Sequence, residues 1–346
     1  MFPVLKRFDE EKIPYKFIHT CQHYGIVEEN RKLFGVRKPD LYLTLKEKDL
    51  RNIWDMIVWA IKVLWKARKL PIRRNDYVIV HGDTESTLLG LLIGLYYKSI
   101  VVHIEAGLRS GDLLEPFPEE IIRRIVSRFS RICFCPTIRD AAHLNARNKK
   151  IIVTYGNTIF DSVTYALNLI PSKNIKLVSK LKFTVFLIHR KENLFIKHRI
   201  EKIFRILEFI LQRGIRVIWV LHANTIYELK AKGMWPKITE LQAEYKLTVF
   251  DHFLDYVDFM YLVKKAQFTA SDGGGLQEET YVLDKPLLIL RKKTERAWGV
   301  NETAYLSGLN KKKVRYFLDH VSQFRRKTTI NKHPTDVIVN YFKSLS

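Results

Sequence analysis

The chain has 346 residues, too many for one ordinary core, so two domains are the starting expectation. With 47% hydrophobic and 27% charged residues it is neither disordered nor of low complexity. Fifty-nine Lys and Arg against 36 Asp and Glu leave a net charge of +23. The basic residues are scattered, at Arg123 and Arg124, Arg213 and Arg216, Lys311 to Lys313 and Arg325 to Lys327, with no aromatic-interleaved patch or nucleic-acid motif. Nucleic acid is therefore not an expected partner, and much of the charge reads as solvated surface. The most apolar stretch, 88–102, contains Lys98 and is too short to cross a bilayer. The first seven residues lack the pattern of a signal peptide, so no membrane partner and a cytoplasmic location are expected.

Apolar, β-rich runs occur at 15–18, 77–80, 100–104, 132–134 and 151–153. A second set follows at 183–188, 215–221, 247–250, 268–270 and 287–290. Amphipathic helical patterns separate them, for example Ile200, Ile203, Phe204, Leu207, Ile210 and Leu211. Nearly continuous apolar strands between helices predict parallel sheets covered on both faces. Two sets of about five predict an α/β fold of two doubly wound, Rossmann-like domains. Pro171, Ser172 and Asn174 mark a break, which sets the domains at 1–170 and 175–330. The segment 333–346 has helical spacing at Val337, Val339, Tyr341 and Phe342. Cys133 and Cys135 alternate with Ile132 and Phe134, placing both thiols on one face of a buried strand. No further ligand stands near them in sequence, so core packing is expected of the cysteines, and no metal.

The chemistry-bearing residues follow strands. His81-Gly82-Asp83-Thr84 ends the 77–80 run; the glycine permits a tight turn, and Asp83 then points into the crevice beyond the strand ends. Asp83 or Thr84 as the N-cap of the next helix is the plainer use. The 100–104 run delivers Glu105, a costly place for a carboxylate unless it is paired, with Arg109 for instance, or faces a ligand. In Glu115-Pro116-Phe117-Pro118-Glu119 the prolines favour a helix starting near Glu119. Glu119 and Arg123 then share one helical face, where an i,i+4 ion pair is the unremarkable reading. Asp83, Glu105 and Glu119 all belong at the same edge of one domain. Carboxylates gathered in a partly dry site can hold different protonation states and serve as acid and base. In the second half, His189-Arg190-Lys191-Glu192-Asn193 follows the 183–188 run, with Asn193 readable as a cap. Ser271-Asp272-Gly273-Gly274-Gly275 follows 268–270, and its glycines let backbone amides approach an anion closely. A helix starting at Leu276 would aim its positive end there. A merely tight turn is the alternative.

Taken in order with His103-Ile104-Glu105-Ala106-Gly107-Leu108-Arg109, Pro118-Glu119-Glu120 and Leu276-Gln277-Glu278-Glu279, these segments resemble the non-hydrolysing UDP-N-acetylglucosamine 2-epimerase family. His19-Thr20-Cys21-Gln22-His23-Tyr24 and Gly156-Asn157-Thr158-Ile159-Phe160-Asp161 agree as well, and the resemblance runs from Met1 to about Gly308. It implies a fold of the GT-B type, with the 333–346 helix returning to the first domain and the ligand between the domains. A second copy of the chain, as a homodimer, and a UDP-sugar substrate are the expected partners, with no cofactor. The implied reaction is reversible conversion of UDP-GlcNAc to UDP-ManNAc. Carbon 2 loses its proton as UDP leaves carbon 1, and a proton returns to the other face as UDP re-adds. Asp83, Glu105, Glu119, Arg123 and His189 are then the catalytic set. Arg190, Glu192, Asn193, His222, Gly273, Gly274, Gly275, Glu279 and Arg296 bind the substrate. Of these, Glu279 accepts from ribose hydroxyls and Arg296 contacts substrate or phosphate.

The chain departs from the family pattern at three places. Family members open with a strand and a Gly-Thr-Arg-Pro-Glu loop ahead of the segment that Met1-Phe2-Pro3-Val4 matches, so Met1 is expected to correspond to an internal methionine. Gly273 stands where Ser is usual, which removes a hydroxyl donor worth about 1 kcal/mol if nothing replaces it. Leu221-His222-Ala223-Asn224-Thr225 and Thr294-Glu295-Arg296-Ala297 each lack a proline. Two alternatives stay open: a GT-B glycosyltransferase or UDP-releasing hydrolytic relative, and an inactive sugar-nucleotide binder.

Overall fold

The computed structural model describes residues 1–22, 24–44, 53–113, 116–178, 180–251, 254–296, 298–330 and 332–345; His23, Glu115 and Ala297 of the motifs above lie outside them. The chain packs as two compact units, Met1–Ser162 with Lys332–Ser346, and Val163–Asn331.

The first unit opens with α1 (Phe2–Glu10), β1 (Ile18–His19), α2 (Tyr24–Leu33), β2 (Leu41–Tyr42) and α3 (Ile53–Ala67). It continues through β3 (Tyr77–His81), α4 (Glu85–Tyr96), β4 (Ile100–Ile104), α5 (Glu119–Phe129), β5 (Ile132–Cys135), α6 (Ile138–Ala142) and β6 (Lys150–Val153) to the start of α7 (Ile159–Leu167). Strands β3-β4-β5-β6 form a parallel sheet in that order, and β1 and β2 form a separate parallel pair. The strand expected at 15–18 is instead Ile18–His19. Backbone groups just before it are taken by side chains rather than a ladder: Phe17 N–H donates to Asp40 at 2.6 Å, and Arg37 donates to the Tyr15 carbonyl at 2.6 Å.

The second unit holds the rest of α7, then α8 (Lys173–Val178), β7 (Thr184–Leu187), α9 (Lys191–Phe195), α10 (Lys197–Gln212), β8 (Val217–Val220) and α11 (Ala223–Ala231). Next come α12 (Trp235–Glu244), β9 (Leu247–Phe250), α13 (Tyr256–Lys265), β10 (Thr269–Ser271) and α14 (Gly274–Val282). The unit closes with β11 (Leu287–Ile289), β12 (Ala304–Leu306) and α15 (Lys311–Asp319). Its six strands are all parallel, in the order β12-β11-β10-β7-β8-β9. The order therefore reverses between β7 and β10, the kind of switch point at which open α/β sheets hold ligands. The last helix, α16 (Pro334–Lys343), belongs to the first unit.

Burial explains the layering. In the first unit, Val4 and Phe8 of α1 and Ile338, Val339 and Phe342 of α16 cover Val102, Ile104, Ile132 and Phe134 of the sheet. The Phe342 ring lies 5.5 Å from Phe8 and 5.6 Å from Tyr77. Cys133 and Cys135 are buried beside Ala106, where desolvation pushes the Cys133 thiol up to about 11. In the second unit the expected apolar face of α10 is buried throughout. It packs on a sheet centred on Trp219, whose ring lies 5.3 Å from Phe186 and 5.5 Å from Phe204.

Candidate functional site

In the first unit two turns follow neighbouring strands. Gly82, with φ +75°, turns the chain out of β3, and Thr84 takes the N-cap position of α4 without a side-chain cap bond. Asp83 is therefore no cap. Its carboxylate accepts from Nη2 of Arg123, reaching across from α5. Arg123 is 1% exposed and also donates to Glu120 Oε2 at 2.9 Å. The i,i+4 pairing expected between Glu119 and Arg123 is thus replaced by an i,i+3 pair with Glu120. Glu120, fully buried, also accepts from Arg124 Nε at 2.8 Å and from Ser110 N–H at 3.1 Å. It belongs to the buried face of α5 with Arg123, whereas Glu119 is partly buried at the first position of the helix.

Glu105 sits in the turn after β4 with φ +71°. A non-glycine residue in that region costs on the order of 1–2 kcal/mol, and such strain gathers at functional sites. The turn is held by Gly82 N–H donating to the Ile104 carbonyl at 3.0 Å and Ala106 N–H donating to the Phe134 carbonyl at 2.9 Å. Glu105 Oε2 lies 3.8 Å from where a Cβ on Gly82 would stand, which sets the carboxylate against the Asp83 turn. It also lies 3.6 Å from His81 Nε2. Gly107 has φ +86°, and a Cβ there would meet the Asp140 carbonyl oxygen at 2.2 Å, so glycine is required. Arg109 directs Nη1 to the Leu108 carbonyl at 2.7 Å.

In the second unit the turns after β7 and β10 are joined by Asp272, which is fully buried. It accepts from His189 N–H at 3.0 Å, Arg190 N–H at 3.1 Å and Asn193 Nδ2 at 2.9 Å. Asn193 also donates to the Leu290 carbonyl at 2.9 Å. It is a tie between the two turns and β11, not a cap. Helix α14 begins at Gly274 rather than Leu276, with Gly273 in the N-cap position. The amides of Gly274 and Gly275 therefore belong to the first helical turn, where N–H groups have no intrahelical partner and face an anion. A Cβ at 273 would lie 3.0 Å from His189 Cε1, so glycine there lets the imidazole close on the turn. The His189 ring lies 5.3 Å from that of His222, which holds the N-cap position of α11. Desolvation pushes His189 down to about 4, against the pull of Asp272. The neutral imidazole leaves the arginines as the cations.

Those arginines are framed by carboxylates. Arg190 Nη2 lies 3.3 Å and Arg291 Nη1 2.8 Å from the two oxygens of buried Glu295. Arg291 Nη2 lies 3.6 Å from Glu192, and Arg296 Nη1 donates to Glu278 at 2.9 Å. Gln277 donates to the carbonyls of Arg296 at 3.1 Å and Trp298 at 2.7 Å, fastening that loop to α14. Glu279 accepts from Tyr256 Oη at 2.9 Å, and burial raises its carboxyl to about 7.

The catalytic and substrate-binding residues expected from the sequence fall into local groups. Asp83, Glu105 and Arg123 stand at or beside the β3 and β4 turns, and Glu119 is at the start of α5. His189, Arg190, Glu192, Asn193, His222, Gly273, Gly274, Gly275, Glu279 and Arg296 stand around the β7 and β10 turns. Sequence reasoning passed over His81, Glu120, Asp272, Arg291 and Glu295. Asp272 carried a usable signal, as an acid between an apolar strand and a glycine run. Among the described residues, no group of three or more His, Cys, Asp or Glu is placed to hold a metal ion.

The sequence profile of the family described as UDP-N-acetylglucosamine 2-epimerase matches residues 6–335. A UDP-N-acetylglucosamine 2-epimerase homolog from Methanococcus maripaludis is 33% identical over 92% of this chain and 86% of its own length. The UDP-N-acetylglucosamine 2-epimerase of Methanocaldococcus jannaschii is 31% identical over 90% of this chain and 86% of its own. The crystal structure of a Methanocaldococcus jannaschii UDP-GlcNAc 2-epimerase in complex with UDP-GlcNAc and UDP superposes with a TM-score of 0.86. It is 27% identical to this chain and covers 99% of it, with 95% of its own length matched.

Proposed function

The chain belongs to the UDP-N-acetylglucosamine 2-epimerase family, and from that premise we propose that it interconverts UDP-GlcNAc and UDP-ManNAc by inverting sugar carbon 2. The observation that carries this reading is the pair of carboxylate turns, Asp83 held by Arg123 and Glu105 in a left-handed turn against Gly82. In the first half-reaction a carboxylate of the set Asp83, Glu105 and Glu119 takes the carbon-2 proton. The carbon 1–oxygen bond breaks and UDP leaves with its electron pair, so a glycal remains. In the second half-reaction UDP re-adds at carbon 1 and a carboxylic acid of the same set returns a proton to the opposite face of carbon 2. Arg123 keeps Asp83 aimed.

The second unit supplies charge stabilisation. The Gly274 and Gly275 amides, Arg190 and Arg296 receive the diphosphate as it gathers negative charge, with the turn of Gly273 leaving room for it. Neutral His189, with Asn193 and His222 behind it, offers a hydrogen bond at the leaving oxygen. Glu192 holds Arg291, and Glu279 accepts from the ribose hydroxyls. Chromatography of UDP-GlcNAc incubated with the chain tests the reading: UDP-ManNAc should accumulate to a fixed ratio from either direction. Stoichiometric UDP with no second sugar nucleotide would instead favour a transferase or hydrolase.

Two finer readings join it. Trp54, Ile57, Val58, Ile61 and Trp65 form an exposed stripe on α3, and the neighbouring α4 exposes Leu92, Leu95 and Tyr96. We assign this apolar face to a second copy of the chain, since an isologous dimer buries one patch against itself. Light scattering should give a dimer mass, and Trp54→Glu with Trp65→Glu should give a monomer. Cys21, Cys133 and Cys135 are buried thiols rather than disulfides, which suits a reducing compartment, and we place the protein in the cytoplasm. Among the described residues, no helix is long and apolar enough to cross a membrane.

A further inference from the structure

His103 is the penultimate residue of β4, opposite Val80 of β3 and Cys133 of β5, and is fully buried. A histidine here is a poor filler for a parallel sheet unless both ring nitrogens are used. Both are. Nε2 lies 2.8 Å from the Gly82 carbonyl and Nδ1 lies 3.2 Å from Ser127 Oγ. The Gly82 carbonyl can only accept, so Nε2 carries the proton and Nδ1 accepts from the Ser127 hydroxyl. Ser127 Oγ in turn accepts from Gly107 N–H at 3.4 Å. One directed chain results, from Gly107 N–H through Ser127 and His103 to the Gly82 carbonyl.

Its anchor points are the informative part. Gly82 immediately precedes Asp83, Gly107 stands two residues after Glu105, and Ser127 is one helical turn beyond Arg123 on α5. Burial also pushes the imidazole down to about 4, so the neutral form and its single tautomer persist through the neutral range.

We propose that His103 is a positioning residue for proton transfer, setting the spacing of the Asp83 and Glu105 turns and tying both to α5. It touches no substrate and acts through backbone groups on either side of the two carboxylates. The strained Glu105 turn needs such a support, because a misplacement of about 1 Å at a reacting group costs roughly 100-fold in rate.

The inference rests on the epimerase reading, and kinetics on the full chain separate the two. His103→Leu removes both bonds; kcat should fall about 100-fold while KM for UDP-GlcNAc stays within about threefold, because the diphosphate-binding turns belong to the other unit. His103→Gln can still donate to the Gly82 carbonyl and should recover at least about tenfold of that loss. Ser127→Ala, which breaks the chain at its middle, should lose about tenfold in kcat. A folded His103→Leu protein with kcat within threefold of wild type would overturn the proposal, as would a glutamine variant no better than the leucine one. Should the leucine variant fail to fold, wild-type kcat in both the glutamine and Ser127→Ala variants would overturn it equally. Absence of epimerisation in the wild-type chain would instead remove the functional reading beneath it.

Discussion

The two groups of functional residues solve different problems. Around β3 and β4, Asp83 shares Arg123 with buried Glu120, and Glu105 stands in a left-handed turn 3.6 Å from His81. Around β7 and β10, Arg190, Arg291 and Arg296 are matched by Glu192, Glu295 and Glu278, while Asp272 is satisfied by three N–H donors. A carboxylate that must meet a carbon-bound proton needs a fixed place, which a shared arginine and a strained turn supply. A group that must receive a diphosphate needs rigid donors already aimed, which the ionic frame around β7 and β10 supplies.

Breaking the β3 and β4 side should have the largest effect. Arg123→Met removes one of the two arginines on buried Glu120 and releases Asp83. Loss of one partner of a buried ion pair costs about 3–5 kcal/mol, so urea denaturation should show a loss of that order and kcat should fall to near background. A loss under about 1 kcal/mol would mean that Arg123 is not the keystone of that side.

The β7 and β10 side should fail differently. Asp272→Asn keeps the shape but turns an NH2 toward one of three donors, a loss of about 2–3 kcal/mol. UDP affinity, read by calorimetry, should weaken at least about tenfold, with kcat less affected than KM. Equal losses in kcat and kcat/KM would assign Asp272 to the chemical step and erase the contrast.

The smallest effect concerns Glu279. Its carboxyl is raised to about 7, so the ionised acceptor proposed for the ribose hydroxyls is a minority at pH 6 and a majority at pH 8. UDP affinity should therefore strengthen by up to about tenfold across that range in the wild type and stay flat in Glu279→Gln. Stability runs the other way. A raised folded-state pKa means a contribution present below about pH 4.5 and lost as pH rises through about 7, a loss that the glutamine variant should not show.

Much of this contrast was legible in the chain, for a definite reason. Apolar strands ending in Gly-Asp, Glu-Ala-Gly or Asp-Gly-Gly announce both the parallel sheets and the turns at their ends, since each turn is local. What was not legible depends on contacts distant in sequence. Glu119 and Glu120 stand four and three residues before Arg123, and only the burial of Arg123 selects Glu120. Asp272 becomes central because β7 and β10 are neighbours, a pairing across more than 80 residues. Helix α14 starts two residues early because its glycines read as loop by propensity, although the turn needs their bare amides. Strands β2 and β12, two and three residues long, carry too little pattern to be seen.

Proton NMR of the full chain with UDP-GlcNAc in heavy water follows the carbon-2 proton itself. If a carboxylate removes and another returns that proton, deuterium appears at carbon 2 in UDP-ManNAc and, with time, in the returning UDP-GlcNAc. UDP-ManNAc that keeps its original carbon-2 proton, or folded protein that leaves the substrate unexchanged, would contradict that proton transfer.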